Sequence, residues 1–259
     1  MKQHQNDETI MAEWNRQSPR DVQAMDSYGT LFDETPGSSF SKLESFCRFV
    51  RRQRLSKFLA HSDIFRKIIN VHGSILDLGV NAGQSLFTWA HLSSILEPVN
   101  YTREIIGFDT FEGIPEVTGE DLTGTSPSAH LKKGGFRYSD VDQLSNAVRV
   151  YDSNRFIGHI EKIRLVQGDV CQTLPKFIED NQHLVVSLLH LDMDVYKPTR
   201  LALELILPRM PKGAVVVFDE VNQVPYPGET KAIVDSIGLH NLRLQRFGFE
   251  TGLSYAVLE

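Results

Sequence analysis

The sequence predicts an α/β fold with a mostly parallel, seven-stranded sheet, a C-terminal antiparallel hairpin and helices on both faces. Short β-rich runs alternate with helical patterns from residue 74 onward, and such alternation implies parallel strands joined by crossover helices. The run Leu184–Leu191 is apolar almost throughout, as is typical of a central strand buried on both faces. Only Phe249–Leu253 separates the last two candidate strands. Because a parallel crossover needs a longer connection, these two strands should pair antiparallel.

The individual elements follow from hydrophobic periodicity and turn-forming residues. The candidate strands are Ser74–Val80, Glu104–Thr110, Ile163–Asp169, Val185–Met193, Ala214–Glu220, Leu242–Gly248 and Ser254–Glu259. The helical patterns are Gln84–Leu96, Val141–Ile157, Leu174–Asp180, Thr199–Met210 and Thr230–Gly238. Upstream, apolar residues between Phe40 and Asn70 recur at helical spacing and predict two helices that lead into the core. Residues 1–40 are polar and contain turn formers, which favours a flexible N-terminal arm or lid before a domain spanning residues 41–259.

The composition of the chain indicates which kinds of partner and which cellular location to expect. The chain has 259 residues and a formal net charge of −6, which argues against a nucleic-acid partner because such a partner demands a basic face. A small-molecule acceptor is easier to reconcile with this charge. The two cysteines, Cys47 and Cys171, do not make a disulfide framework, and no apolar run approaches the length of a membrane span or a signal-peptide core. We therefore expect a cytoplasmic location, and the sequence does not decide between a monomer and a homo-oligomer.

A glycine-rich turn follows the first candidate strand and opens a helix. The segment Gly79–Ser85 reads Gly-Val-Asn-Ala-Gly-Gln-Ser. Glycines allow a tight turn and the close approach of a ligand to the backbone, and the helix N-terminus offers free N–H groups to an anion. The spacing alone does not specify the ligand, because such a turn could bind any nucleotide or serve only as a turn.

Acidic residues at the tips of the next two strands are candidate contacts for a nucleoside. Asp109, followed by Thr110 and Phe111, ends the second strand, where folds of this type hold two ribose hydroxyls with one carboxylate. The structural alternative is that Asp109 caps the following turn. Asp169, followed by Val170, ends the third strand and could accept a hydrogen bond from an adenine amino group, although an ordinary strand-end aspartate fits nearly as well.

Carboxylates cluster after two neighbouring buried strands. Asp192 and Asp194 follow one strand, and Asp219 and Glu220 follow the next. The carboxyl ends of adjacent parallel strands converge on one crevice. Asp192, Asp219 and Glu220 are therefore the predicted ligands of Mg²⁺, which prefers oxygen, whereas Zn²⁺ would require cysteine or several histidines. The alternative is that these acids are solvated strand ends that only cap turns.

Together these residues resemble the macrocin O-methyltransferase family, which includes sugar O-methyltransferases of macrolide and aminocoumarin biosynthesis. The most specific matches are Phe-Asp-Thr-Phe-Glu-Gly-Ile-Pro at residues 108–115 and Leu-Asp-x-Asp-x-Tyr at residues 191–196. Further matches are the turn at 79–85, Lys-Gly-Gly-Phe at 133–136 and Gly-Asp-Val at 168–170. The resemblance runs from about Leu43 to the C-terminus.

The resemblance implies a class I methyltransferase fold, a Rossmann-like fold whose outline the seven predicted strands follow. It also implies S-adenosylmethionine as methyl donor and Mg²⁺ as a second cofactor. The cofactor contacts are then expected from Gly79, Asn81, Gly83, Ser85, Asp109, Thr110, Phe111, Asp169 and Val170. The residue expected to accept the proton of the acceptor hydroxyl is Asp192 or Asp194.

The sequence departs from the family pattern where the acceptor should bind. The family commonly has two aspartates after the fifth strand, whereas this chain has Asp219 followed by Glu220. The next segment, residues 223–230, is also unlike that of the antibiotic-pathway members, and it should border the acceptor pocket. Val195 stands where the related catechol methyltransferases place a lysine base, so a lysine-driven catechol mechanism is not supported.

The sequence therefore predicts an S-adenosylmethionine-dependent, Mg²⁺-assisted O-methyltransferase that acts on a hydroxyl of a sugar or glycosylated metabolite. Three alternatives remain: an O-methyltransferase of a lipid, peptide or phenol, a non-catalytic S-adenosylmethionine-binding protein, and an NAD-type oxidoreductase. The terminal hairpin and the two carboxylate pairs speak against the oxidoreductase.

Overall fold

The computed structural model describes residues 19–138 and 140–259, and the chain divides into two compact units between Leu59 and Ala60. The described part of the first unit contains helices α1 (Pro19–Glu34) and α2 (Ser39–Glu44) and a 3₁₀ turn at Phe46–Arg48. Helix α3 (Arg52–Ile68) crosses the boundary. Residues 1–18 of the predicted arm lie outside the described residues, and the division at residue 40 into arm and domain stays a prediction.

Local hydrogen bonds define the elements of the first unit. Ser38 lies at the N-cap of α2, where its hydroxyl accepts a hydrogen bond from the backbone N–H of Ser41. The amine of Lys42 donates to the carbonyl of Phe32 near the C-terminal end of α1, where backbone carbonyls lack helical partners. Polar contacts of this kind fix where the short helices begin and end.

The second unit alternates strands and helices. Its strands are β1 (Ser74–Leu78), β2 (Ile105–Asp109), β3 (Ile163–Gln167), β4 (Val186–Leu191), β5 (Val215–Phe218), β6 (Gln245–Arg246) and β7 (Ser254–Val257). The helices after α3 are α4 (Gln84–Leu96), α5 (Val141–Asp152), α6 (Val170–Asp180), α7 (Tyr196–Ile206) and α8 (Pro227–Ser236). Short 3₁₀ turns at Gly119–Leu122, Leu207–Arg209 and Leu239–Asn241 complete the described elements.

The strands form one sheet in the order β3-β2-β1-β4-β5-β7-β6. The first five strands in this order pair in parallel, whereas β7 pairs antiparallel with both β5 and β6. This is the class I methyltransferase sheet, and it confirms the predicted fold and the predicted terminal hairpin. The chain order reverses direction at β1, between β2 and β4, which is the position where sheets of this type bind ligands.

Alternating side chains place one apolar cluster on each face of the sheet. Ile75, Leu188 and Val215 face the side covered by α4, α5 and the second half of α3. Leu76, Leu189 and Val216 face the side covered by α6, α7 and α8. Both faces are therefore buried, which explains the almost continuous apolar sequence of β4. None of the described helices has both the length and the apolar character needed to cross a membrane.

The predicted elements are all present, with different ends. The strands are shorter than predicted, and β6 is reduced to Gln245–Arg246 at the edge of the sheet. Helix α6 begins at Val170 rather than at Leu174, because Asp169 caps it, and Pro175 lies inside it. Helix α7 begins at Tyr196 rather than at Thr199, and the backbone N–H of Tyr196 donates to the carboxylate of Asp121. Helix ends depend on such capping contacts, which periodicity does not report.

Candidate active site

Backbone hydrogen bonds bring the carboxyl ends of β2, β1, β4 and β5 to one edge of the sheet. The N–H of Gly79 donates to the carbonyl of Phe108 at 2.9 Å, and the N–H of Asp192 donates to the carbonyl of Leu78 at 2.9 Å. The N–H of Asp219 in turn donates to the carbonyl of Leu191 at 3.2 Å. The segments that follow these strands therefore begin side by side.

The glycine turn after β1 passes directly against the segment after β4. Gly79 has a φ of +95°, in the region that favours glycine, and a β-carbon there would lie 1.8 Å from the carbonyl oxygen of Asp192. Gly83 has a φ of +87° and occupies the N-cap position of α4. Glycine has no side chain that could cap the helix, and the first N–H groups of a helix have no partner within the helix.

Asp109 ties the tip of β2 to this turn. Its two carboxylate oxygens accept hydrogen bonds from the backbone N–H of Asn81 at 2.7 Å and from that of Phe111 at 2.6 Å. Burial raises the pKa of Asp109 above its ordinary value, although these hydrogen bonds act in the opposite direction. Each oxygen has a second lone pair and can accept another hydrogen bond. Asp109 can therefore hold the turn and still face a hydroxyl.

Other predicted cofactor residues have partners within the protein. The hydroxyl of Ser85 donates to the carboxylate of Asp77 at 2.8 Å. The hydroxyl of Thr110 donates to the carbonyl of Gly113 at 2.7 Å, and Asp169 caps α6 by accepting from the N–H of Cys171 at 2.8 Å. Val170 and Phe111 are buried. All of these residues lie on segments that follow strands at the same edge, and their contacts with a cofactor stay predictions.

The carboxylates after β4 and β5 form two overlapping groups among the described residues. In one group, ligand atoms of Asp192, Asp194 and Glu220 all lie within 4.8 Å of one another. In the other, ligand atoms of His190, Asp192 and Asp219 do so. The predicted set of Asp192, Asp219 and Glu220 is thus divided between two groups that share Asp192.

The electrostatics of the first group suit a divalent cation. Burial and the neighbouring carboxylates of Asp194, Asp219, Glu229 and Asp192 raise the pKa of Glu220 well above its ordinary value. Carboxylates repel one another in this way when their charge is not offset. The group supplies only oxygen ligands, which is the donor set that Mg²⁺ prefers. The residues present therefore fit the predicted cation.

A histidine inside the sheet faces the second group. Nδ1 of His190 lies 2.6 Å from a carboxylate oxygen of Asp77, and Nε2 lies 3.9 Å from Oδ1 of Asp219. Burial alone would lower the pKa of His190, but its interactions with the carboxylates of Asp77, Asp219 and Asp192 together raise this pKa to about 10.

The segments after β2 and β5 are joined beside the carboxylates. Asp121 is fully buried and accepts hydrogen bonds from the backbone N–H of Tyr196 at 2.6 Å and of Thr118 at 2.7 Å. Gly228, at the start of α8, packs against it, and a β-carbon there would lie 2.1 Å from Oδ1 of Asp121. One acid thus joins the β2 segment to the start of α7 and leaves no space for a side chain at residue 228.

A second contact between the same segments involves aromatic residues. The N–H of Ser128 donates to the carbonyl of Pro225 at 3.1 Å, and the hydroxyls of Ser128 and Tyr226 lie 3.0 Å apart. The ring of Tyr226 lies 6.1 Å from that of Phe136, measured between centroids. The segment 223–230, which was predicted to border the acceptor pocket, therefore packs with the segment after β2 rather than standing alone.

Comparison with known proteins identifies the family. The family model of the macrocin O-methyltransferases (TylF) matches residues 44–236. This chain belongs to the macrocin O-methyltransferase family. Among solved structures, it is similar to the calicheamicin methyltransferase CalS11, with 30% identity, a TM-score of 0.88 and coverage of 93% of this chain and 94% of that chain.

Two further structures place this macrocin O-methyltransferase family member among its relatives. The apo structure of CalS11, described as a TDP-rhamnose 3'-O-methyltransferase, has 28% identity, a TM-score of 0.80 and coverage of 93% and 96% of the two chains. The O-methyltransferase NovP shares the fold, with 19% identity, a TM-score of 0.62 and coverage of 79% and 80%. A search of curated protein sequences found no significant match. The chain is a methyltransferase, as predicted, and membership in this family supports S-adenosylmethionine as its methyl donor.

Three buried residues of this O-methyltransferase site were missed by sequence reasoning. Asp77 and His190 interrupt otherwise apolar strands, and a polar residue in a buried strand is a signal that could have been used. Glu229 is fully buried on α8, where it accepts a hydrogen bond from the N–H of Glu220 at 2.9 Å. Glu229 does not interrupt an apolar strand, so the sequence carries no such signal for it. Only the fold brings α8 to the end of β5.

Proposed function

We propose that this O-methyltransferase transfers the methyl group of S-adenosylmethionine to a hydroxyl of a sugar or glycosylated metabolite, with the help of Mg²⁺. The observation that carries the proposal is the close approach of the Gly79 turn to the backbone of Asp192. The turn is the proposed cofactor site and Asp192 belongs to the proposed metal site, so methyl donor and acceptor hydroxyl would meet at one edge of the sheet. Such proximity supplies much of the acceleration in a displacement reaction.

The proposed cofactor site uses the turn for the methionine end and Asp109 for the ribose. The N–H groups at the start of α4 favour the methionine carboxylate, because the positive end of the helix dipole would face it. Asp109 is fixed by two backbone N–H groups, so its carboxylate is held in place before a ribose binds. Asp169 and Val170 are proposed to border the adenine.

The proposed metal ligands are Asp192, Asp219 and Glu220. When bound, a divalent cation supplies positive charge that makes the proton of an acceptor hydroxyl easier to remove. Asp192 belongs to both carboxylate groups, whereas Asp194 belongs to one, so Asp194 is the carboxylate that we assign as proton acceptor, with Asp192 as the alternative. Position 194 has a φ of +64°, an uncommon conformation for a non-glycine residue that is found more often at functional sites.

A sugar acceptor is supported by membership in the family and by the described substrate of one structural relative. CalS11 is a TDP-rhamnose 3'-O-methyltransferase. A nucleotide-activated deoxysugar is therefore the first acceptor to test, although the residues after Glu220 depart from the family pattern. Glycan fragments, phenols, hydroxylated lipids and peptides form the comparison panel.

The test is incubation of the protein with S-adenosylmethionine, Mg²⁺ and each acceptor, followed by mass spectrometry of the acceptor and assay of S-adenosylhomocysteine. We expect one methyl group on a sugar hydroxyl. Methylation of a non-sugar acceptor alone would overturn the sugar assignment. Binding of S-adenosylmethionine without S-adenosylhomocysteine release on any acceptor would favour a non-catalytic binding protein.

The metal is tested separately on the acceptor that is turned over best. We expect treatment with EDTA to abolish methyl transfer and restored Mg²⁺ to recover it. Asp192→Asn should weaken both metal binding and turnover, whereas Asp194→Asn should lower kcat by roughly 10²–10⁴-fold and weaken metal binding less than Asp192→Asn does. Full activity in EDTA would rule out the metal and leave a carboxylate acting as base alone.

A further inference from the structure

The geometry points to His190 as a positioning residue that, held by Asp77, fixes Asp219 for metal binding. This inference rests on the proposed function, because it takes Asp219 as a metal ligand. His190 and Asp77 are both fully buried, and they are cross-strand partners on β4 and β1. Their side chains therefore lie on the same face of the sheet, and the alternation along β4 brings Asp192 to that face as well.

Asp77 has both of its oxygens committed within the protein. One lies 2.6 Å from Nδ1 of His190, and the other accepts a hydrogen bond from the hydroxyl of Ser85 at 2.8 Å. Two partners on opposite sides leave the carboxylate a single orientation. The imidazole ring is fixed in turn, because its Nδ1 must face Asp77.

The other end of the ring faces Asp219. Nε2 of His190 lies 3.9 Å from Oδ1 of Asp219, and the Asp219 side chain is mostly buried. The imidazole ring therefore lies between two carboxylates, with Nδ1 directed at Asp77 and Nε2 directed at Asp219. Because Asp77 fixes the orientation of the ring, it also fixes where Nε2 faces Asp219. The pair restrains one oxygen of Asp219 and leaves the other for a cation, as groups behind metal ligands commonly do.

Rings packed around His190 hold it further. The ring of Trp89, from α4, lies 5.8 Å away and that of His61, from α3, lies 5.5 Å away, both near perpendicular. His61 lies in the same packed layer but comes from a helix rather than from the sheet. The same substitution at His61 is therefore a matched control for loss of packing.

The experiment compares the wild type with His190→Asn, His190→Gln and His61→Asn. An asparagine amide can take the place of Nδ1 beside Asp77 but cannot reach Asp219, whereas the longer glutamine can approach the place of Nε2. Mn²⁺ is the probe, and its affinity for the protein without S-adenosylmethionine or acceptor is measured by electron paramagnetic resonance. Calorimetry measures the affinity of each variant for S-adenosylmethionine, and thermal unfolding measures its stability.

We expect His190→Asn to lower the affinity for Mn²⁺ by about 10–100-fold, the range found when a group behind a metal ligand is lost. His190→Gln should lose less affinity for Mn²⁺ than His190→Asn does, and His61→Asn should bind Mn²⁺ as the wild type does. S-adenosylmethionine affinity should be retained in both His190 variants.

Four results would overturn the inference. Equal Mn²⁺ affinity in the wild type and His190→Asn would do so, and so would an equal loss in His61→Asn. A ¹⁴N coupling to bound Mn²⁺ in spin-echo spectra of the wild type, absent from the His190 variants, would make His190 a direct ligand. A wild-type protein that does not bind Mn²⁺ would remove the proposed metal site itself, and the positioning role with it.

Discussion

Glu229 on α8 holds the backbone of Glu220 at the end of β5: one of its carboxyl oxygens accepts the N–H of Glu220 at 2.9 Å. Glu229 is fully buried, and its second oxygen has no hydrogen-bond partner among the described residues. Burial raises its pKa well above the ordinary value, although the hydrogen bond from Glu220 acts in the opposite direction. The start of the segment that carries the proposed ligands thus depends on a side chain from a neighbouring helix.

We expect Glu229→Gln to change the free energy of unfolding by less than about 1 kcal/mol, because the amide keeps an oxygen for the N–H of Glu220 and carries no charge. Glu229→Ala should cost about 2–4 kcal/mol, since it leaves a buried N–H without an acceptor and creates a cavity. Urea unfolding of both variants measures the difference. Equal losses would show that the hydrogen bond contributes nothing.

Gly79→Ala should destabilise the protein and abolish methyl transfer. The positive φ and the contact with the carbonyl of Asp192 together should cost at least about 2 kcal/mol, and relief of the contact must move the glycine turn away from the carboxylates. Gly248→Ala is the control, because a β-carbon at Gly248 meets nothing within 4 Å. Thermal unfolding and initial rates of the two variants decide the matter, and wild-type behaviour of Gly79→Ala would contradict the described approach of the two segments.

Asp109→Asn should weaken the binding of S-adenosylmethionine at least about tenfold. An amide offers one acceptor oxygen where the carboxylate offers two, so the N–H of Asn81 or that of Phe111 loses its partner. The glycine turn is then no longer held for the cofactor, and a hydrogen bond to a charged group is worth about 1.5–3 kcal/mol. Asp140→Asn is a matched control, since Asp140 also accepts a backbone N–H, from Gln143, but lies outside the proposed cofactor contacts. Calorimetry on both variants is the measurement, and similar affinities would remove Asp109 from the site.

The lowered pKa of Lys162 should make the stability of the protein depend on pH. It is buried next to β3, where its amine donates to the carbonyl of Asn100 at 2.8 Å, and burial lowers its pKa from 10.5 to about 8. Between these values the unfolded chain binds more protons at this site than the folded chain, so stability rises with pH. One proton corresponds to at most about 1.4 kcal/mol per pH unit.

The measurement is urea unfolding of the wild type and of Lys162→Met at several pH values between 7 and 10. The difference between the two proteins isolates this residue from the tyrosines and cysteines that titrate in the same range. We expect the free energy of unfolding of the wild type to rise relative to that of Lys162→Met as pH increases. Parallel profiles would mean that the amine has an ordinary pKa.

Much of the fold could be predicted from the sequence because its determinants are local. The apolar run of β4 and the short connection Phe249–Leu253 were sufficient for a buried central strand and a terminal hairpin. The strand ends were less accurate, since pairing at the sheet edge limits β6 to Gln245–Arg246. Hydrophobic periodicity reports which face is buried but not where the last backbone hydrogen bond is made.

The candidate site was predicted less completely. The sequence placed Asp192 and Glu220 at neighbouring strand ends, and their ligand atoms do lie close together. It did not show that Asp219 lies in a separate group with His190, because the side chains of adjacent residues on a segment diverge, and only their packing fixes which carboxylates converge. The role of Asp77 behind His190 depends on the register of β1 against β4, which no local pattern specifies.

The contact between Asp121 and Gly228 has a consequence for engineering the enzyme. If the segment after β5 is exchanged for one that carries a residue other than glycine at position 228, the new side chain would collide with Asp121. If only the segment after β2 is exchanged, for one without an acid at position 121, the N–H of Tyr196 loses its acceptor. A chimaera with altered acceptor preference must therefore take both segments from the same parent.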